Sequence, residues 1–519
     1  FSGNKYTFSG RYATKNWMIW SNSSIMKSDS ELSNSSFSRS ENRSSYKLGK
    51  NWVGATVNLE DNSEKLKTTN AFSALSQRFL EYGAFVGRGD STKVFVELGF
   101  LQRQNDSLQN NRIERVNHSN SYYLKSQLIK TEKSNLSVFL NYRTLKYEDS
   151  NLKDEPSLNS RILYSDRFFG QLIQTTTAYE TSSGTIAQQE FTYLQVEPGQ
   201  GVYMWNDYNG NGIQELQEFE IAPYSDLAIY VRVFLPNQVF VRTHQNKFSQ
   251  ALNFNFNQWQ NEKGFKKFAS HFYNQTSFLI DRKIKRNGDN FDLNPFSKEE
   301  EELIGLNTNF RNSLFFNRGK QYHSTTYSFL LNESQNLLSV GSVAAKNQSH
   351  QVQYQHLVKK SWLFNFSGST TSTESTSENY PNRNFEIDGY QIEPKIGYLF
   401  SKNASWDIFY EFQQKENQIG AFETLKQTRL GTSFTFNSEK GFSMNGEFSM
   451  YNNSYDGNAL SAVGFQMLEG LQPGKNQTWR LLLQKNLTQY LDININYQGR
   501  NSETSKTIHT GNVQLRAFF

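Results

Sequence analysis

Asp207, Asn209, Asn211, Gly212, Glu215 and Glu218 stand at the intervals that oxygen coordination of a hard divalent cation requires. Residues 201–222 read GVYMWNDYNGNGIQELQEFEIA, and the pattern D-x-[DN]-x-[DN]-G-x5-E is met at each required position. Oxygens from Asp207, Asn209 and Asn211 would converge on one ion. Gly212 permits the sharp turn at the sixth position, Ile213 offers its backbone carbonyl at the seventh, and Glu218 closes the shell at the twelfth. Glu215 falls at the ninth position, where a ligand often acts through water. The expectation is a structural Ca2+ held by Asp207, Asn209, Asn211, Ile213, Glu215 and Glu218. The same residues also suit an ion-free turn, because Asn and Gly tolerate positive φ.

Other chemistry is sparse. The chain has no cysteine, which removes disulfides, thiolate metal sites and a cysteine nucleophile. Its seven histidines show no H-E-x-x-H and no closely spaced pair, and neither a G-x-S-x-G elbow nor a phosphate-binding glycine loop occurs. A non-enzymatic protein is expected. The net charge of +5 is small for 519 residues and is spread along the chain, so nucleic acid is not an expected partner.

The elements that must position these residues are strands. Hydrophobic residues are only 36% of the chain although aromatics reach 15%, and mean hydropathy is −0.71. A soluble core of this size needs more aliphatic residues, whereas a disordered chain would be poor in aromatics. A barrel with lipid outside and water inside satisfies both facts, since only every second residue must be apolar. The longest nearly apolar run, 337–345, is about half of the ~18 residues that a transmembrane helix needs.

Alternation runs through the chain. Tyr6, Phe8, Gly10 and Tyr12 open it; Val94, Val96, Leu98 and Phe100 follow; Trp406, Ile408, Tyr410 and Phe412 repeat it. Leu491, Ile493, Ile495 and Tyr497 interleave with Asp492, Asn494, Asn496 and Gln498. An Asn-rich face belongs in water or a polar lumen. The expected fold is all-β: one large transmembrane antiparallel barrel over residues 1–519, with about 22–26 strands and long extracellular loops. Longer connections are expected at 367–388 and 452–458, short hairpin turns at 261–264 and 437–441, and an extended loop with one short helix at 282–308. That helix is expected after a capping box at Ser297.

The last nine residues, GNVQLRAFF, place Val513, Leu515, Ala517 and Phe519 on one strand face. This ending resembles the terminal signal of bacterial outer-membrane barrels that the barrel-assembly machinery recognises. It is expected to pair with the strand near Tyr6–Tyr12. The chain opens on Phe1 without a signal peptide, and a periplasmic portion is expected before it.

Across residues 197–242 the sequence around the calcium-like loop resembles a motif in large outer-membrane proteins of Bacteroidota. The resemblance implies a C-terminal barrel that follows a long periplasmic portion. The localisation that follows is the bacterial outer membrane, with outer-membrane lipid and other envelope proteins as partners. Two functions are open: a structural or translocation subunit for outer-membrane protein assembly or surface-protein export, or a porin-like or gated uptake channel for solutes.

Overall fold

A computed structural model describes residues 2–90, 92–149, 151–286, 288–297, 303–320, 322–338, 341–438, 441–488 and 490–517. Ten wall strands come first: β1 (Ser2–Ala13), β2 (Trp17–Asp29), β3 (Ser33–Leu48), β4 (Asn51–Leu66), β5 (Gln77–Gly89), β6 (Phe95–Gln109), β7 (Arg112–Lys130), β8 (Asn135–Tyr147), β9 (Glu155–Phe168) and β10 (Ile173–Gln195). Two short strands, β11 (Tyr203–Trp205) and β12 (Phe219–Ile221), form a hairpin of their own. Thirteen wall strands follow: β13 (Tyr230–Asn255), β14 (Phe272–Lys285), β15 (Leu303–Phe316), β16 (His323–Leu338), β17 (Gly341–Val358), β18 (Trp362–Ser377), β19 (Phe385–Ser401), β20 (Ala404–Asn417), β21 (Thr424–Ser438), β22 (Phe442–Asp456), β23 (Gly474–Thr488), β24 (Leu491–Ser502) and β25 (Ile508–Ala517).

Each wall strand pairs antiparallel with the next, and β10 pairs directly with β13. Among the described residues the wall therefore has 23 strands, within the range expected from the alternation. Register sorts the faces. Trp406 opposes Phe434, Tyr410 opposes Leu430, and Ile396 opposes Ile408, all on the outer face. The intervening Glu411 opposes Arg429 on the inner face. The outward aromatic and aliphatic residues remain exposed, as a surface that meets hydrocarbon must. No helix among the described residues is long and apolar enough to cross a membrane.

The inner face holds ion pairs and glycines rather than a second apolar layer. Arg43 grips Glu97 with contacts of 2.9 and 2.8 Å, Trp52 Nε1 donates to the same carboxylate at 2.9 Å, and Tyr123 donates at 3.2 Å. These side chains lie flat because glycines face them. A Cβ added at Gly54, Gly87 or Gly99 would fall 2.2 Å from the ring of Phe85, Trp52 or Tyr123, so the wall needs glycine where aromatics cross it.

Several expectations change. Most of 367–388 and 452–458 is strand in β18, β19 and β22, where polar residues such as Thr370 and Asn452 stand on the outward face too, past the apolar stretch of Trp362, Phe364 and Phe366. The turn at 261–264 lies in a longer connection, 256–271, which carries a short helix α1 (Phe265–Ala269). Within 282–308, residues through Lys285 and from Leu303 onward are strand; of the helix expected after Ser297, Leu303 and Ile304 belong to β15 instead, because this strand pairs with β14 in the wall, and 298–302 lie outside the described residues. Residues 288–297 lie against outward side chains instead: Phe291 meets Tyr142 and His244, and Phe296 meets Phe248 and Phe278. Asp292 pairs with Arg282 at 2.5 Å.

The expected pairing of the last strand with the first is absent among the described residues, where β25 pairs with β24 and β1 with β2. With an odd number of antiparallel wall strands, β1 and β25 run the same way, so a ladder between them would have to be parallel. Val513 and Leu515 do face outward, at 66% and 60% exposed, and Ala517 shares their face. Phe519 lies outside the described residues.

Candidate functional site

β10 and β13 are the longest strands, and their upper halves rise beyond their neighbours. β9 pairs with β10 only through Ser182, and β14 pairs with β13 only from Thr243. Above that level the two strands pair with each other up to Gln195 and Tyr230. Their connection, 196–229, is the segment singled out by its oxygen-bearing residues. A small aromatic core holds it: Tyr193 stacks on Phe219 at 4.0 Å, and Phe219 meets Tyr230 edge-on at 5.0 Å. That core ties β11 and β12 to the rising hairpin.

The tip then crosses the barrel mouth. Arg500, near the end of β24 and facing the lumen, binds Asp226 through two hydrogen bonds of 2.6 and 2.7 Å. Its guanidinium also lies 4.1 Å from the Tyr224 ring centroid, and Gln498 donates to Ser225 at 3.1 Å. Arg383, between β18 and β19, pairs with Glu220 of β12. A loop that starts between β10 and β13 thus touches wall elements on both β18–β19 and β24, which requires the sheet to curl around it.

A second loop meets the first. Between β22 and β23 lies helix α2 (Ala462–Leu468), started by Ser461, whose hydroxyl accepts from the Gly464 N–H at 3.0 Å. It buries Val463, Met467 and Leu468 against the inward-facing Ile387 and Leu425. Gly470, at φ +82°, comes so close to Pro223 that an added Cβ would lie 2.5 Å from the proline ring. Lys415 of β20 ties the end of α2 through Glu469 at 2.5 Å and the Met467 carbonyl at 3.2 Å. The outcome is a two-loop assembly inside the mouth.

Within the first loop, the cation-type residues adopt a tight, self-bonded turn. Asp207 accepts from the backbone N–H groups of Gly210, Asn211 and Gly212 at 2.8, 3.1 and 2.8 Å. Asn209 accepts from the Asn211 N–H, and Asn211 accepts from the Ile213 N–H. Glu215 receives Asn209 and Gln217 side-chain amides. Gly210 and Gly212 both sit at φ +71°, with open space where a Cβ would stand, so their role is conformational. Among the described residues no three His, Cys, Asp or Glu side chains gather into one ligand set; Asp207 and Glu218 are the two carboxylates at required positions.

Glu218 differs from the rest of the turn. It is 1% exposed. One oxygen, Oε2, accepts from Trp205 Nε1 at 2.8 Å and from the Glu215 N–H at 3.3 Å, while Oε1 is buried with no hydrogen-bond donor. A buried carboxylate oxygen left unpaired costs on the order of 1–3 kcal/mol or more.

Burial raises the Glu220 carboxyl above its ordinary value although Arg383 opposes the rise. Burial likewise raises the Tyr208 and Tyr224 hydroxyls. Asp226 moves the other way: hydrogen bonds from Arg500 hold it below the ordinary carboxylate value.

Sequence reading located the loop but none of its partners. Arg383, Arg500, Lys415 and α2 carried no local signal, because each acts through a contact with a remote segment.

No protein-family model and no curated protein matches the chain. Among solved structures it is similar to the FrpB iron transporter from Neisseria meningitidis (F5-1 variant), at 8% identity and a TM-score of 0.34, over 97% of this chain and 82% of that one. It is similar to BauA, the ferric preacinetobactin receptor from Acinetobacter baumannii, at 9% identity and a TM-score of 0.34, over 99% and 76%. It is also similar to the ferric-catecholate import receptor Fiu from E. coli K12, at 10% identity and a TM-score of 0.30, over 94% and 77%. At these values the likeness concerns the fold alone.

Proposed function

We propose that this chain is a gated uptake channel of the bacterial outer membrane, held shut at its loop end by the 196–229 hairpin tip and the α2 loop. The observation that carries this reading is the two-bonded contact from Asp226, at the tip, to Arg500 on the lumen face of β24. A wall of this many strands encloses a wide lumen. Loops that reach inward and dock on the wall convert an open pore into a closed one. The hairpin tip docks through polar contacts to Arg500, Gln498 and Arg383, which suit release, while α2 is seated on the wall by its apolar cluster with Ile387 and Leu425. The outward apolar face meets outer-membrane lipid, and Val513, Leu515, Ala517 and Phe519 serve as the membrane-insertion signal.

The test is conductance of the purified chain in planar bilayers, with solute flux into liposomes measured in parallel. Wild type should be closed for most of the record. Replacing the tip, residues 199–226, with a short Gly/Ser linker should produce a steady large conductance. Steady, equal conductance in both proteins refutes the gate.

A further inference from the structure

We propose that residues 207–218 bind a calcium ion, and that the bound ion locks the hairpin tip in its docked position. The second half rests on the gated-channel reading; the first does not.

Two independent observations meet at one place. The oxygen-bearing residues Asp207, Asn209, Asn211 and Glu218 are spaced as a hard cation requires, and the backbone already turns as such a loop must, with Gly212 at positive φ. Separately, the Glu218 carboxylate is withdrawn from solvent with one oxygen lacking any donor. Its other oxygen is held by the N–H of Glu215, a member of the same loop, and by Trp205. The carboxylate is therefore fixed against the loop with a free lone-pair set, which is costly unless a cation completes it. Asp207 Oδ2, Asn209 Oδ1 and Asn211 Oδ1 each accept one backbone N–H bond, which leaves each a lone pair for an ion, while Asp207 Oδ1 accepts two. With Asp207 and Glu218 as the required carboxylates, and Asn and carbonyl oxygens for the rest, the site suits weak affinity of the extracellular kind, with Kd about 10⁻⁴ to 10⁻³ M.

The location gives the ion leverage. Glu218 is followed directly by β12, whose Phe219 anchors the aromatic core and whose Glu220 meets Arg383. Asn206, next to Asp207, donates its N–H to the Glu218 carbonyl at 2.9 Å. An ion that joins both ends of residues 207–218 stiffens the β11–β12 hairpin and, through it, the docking contacts.

The test uses the intact barrel in detergent, with terbium(III) as probe and calcium chloride as competitor. The Trp205 indole, 2.8 Å from Glu218, is close enough to sensitise luminescence from an ion bound there. Wild type should give a tryptophan-sensitised signal that millimolar calcium displaces and equal magnesium does not, since magnesium demands a stricter octahedral shell. Glu218→Gln keeps an acceptor for Trp205 and the side-chain shape, and should weaken calcium competition roughly tenfold or more. Absence of a calcium-displaceable signal in wild type, or its full retention in Glu218→Gln, overturns the site. Chelation with EGTA in the bilayer assay then tests the lock: open probability should rise in wild type and stay unchanged in Glu218→Gln. Binding without any gating response to EGTA overturns the lock. A wild type that is permanently open with or without calcium overturns the gated reading while the luminescence still decides the site.

Discussion

Removing Arg500 is the sharpest perturbation of the gate. Arg500→Ala deletes both hydrogen bonds to Asp226 and the contact with the Tyr224 ring. Exposed ion pairs contribute about 0–1 kcal/mol, and removal of one partner from a fully buried pair costs about 3–5 kcal/mol. The side chains of Arg500 and Asp226 are 17% and 19% exposed and bond in bidentate fashion, which places this pair between those limits, at about 2 kcal/mol. Since 1.4 kcal/mol is a factor of ten, the open-to-closed ratio should rise roughly 30-fold. Single-channel recording in planar bilayers measures that ratio directly. The wall pairing of β24 with β23 and β25 does not use this side chain, so the barrel should still assemble. Acid supplies a second readout. Because Arg500 holds the Asp226 carboxyl below its ordinary value, the clamp is fully present above the ordinary carboxylate pKa of about 4 and is lost as pH falls through the lowered value. Wild type should therefore open at strongly acid pH, and this Asp226-linked component of opening should be missing from Arg500→Ala. An assembled Arg500→Ala barrel with the open probability of wild type would refute the reasoning.

Three further outcomes are expected. Leu468→Ala, which empties a 2%-exposed position packed on Leu425 and Ile387, should destabilise the α2 loop by about 2–4 kcal/mol and make 457–473 sensitive to limited proteolysis while the wall stays protected. Gly54→Ala places a Cβ 2.2 Å from the Phe85 ring and should lower the yield of heat-modifiable folded barrel on gels, whereas Gly446→Ala, with its nearest contact at 3.8 Å, should not. Leu515→Asp, on the outward face of β25, should reduce insertion into outer-membrane vesicles, with unassembled chain accumulating in the soluble fraction.

The wall was legible because lipid and water impose a period of two on each strand, and this period survives in the sequence whatever the neighbours are. Trp406, Ile408 and Tyr410 announce an outward face without reference to β19 or β21. Boundaries were harder to read, and for a related reason. The Ser- and Thr-rich stretch through 367–377 reads as a loop, yet in β18 the same residues pair with both neighbouring strands while polar side chains occupy both faces, where hydrophobicity gives no guide. Parity also escaped the sequence, since it depends on counting every strand, and a miscount of one reverses the direction of β25 relative to β1.

Sequence alone determined the all-β wall, its two-faced strands and the oxygen-rich turn at 207–218, because these follow from local periodicity, side-chain chemistry and backbone preference. Tertiary structure decided that the turn hangs over the mouth on the longest hairpin, that Asp226 finds Arg500 and Glu220 finds Arg383, and that α2 folds inward onto Leu425. Those pairs are separated by 274 and 163 residues. Contacts at such distance depend on how the whole sheet curls, a property of all its strands together that no single segment encodes.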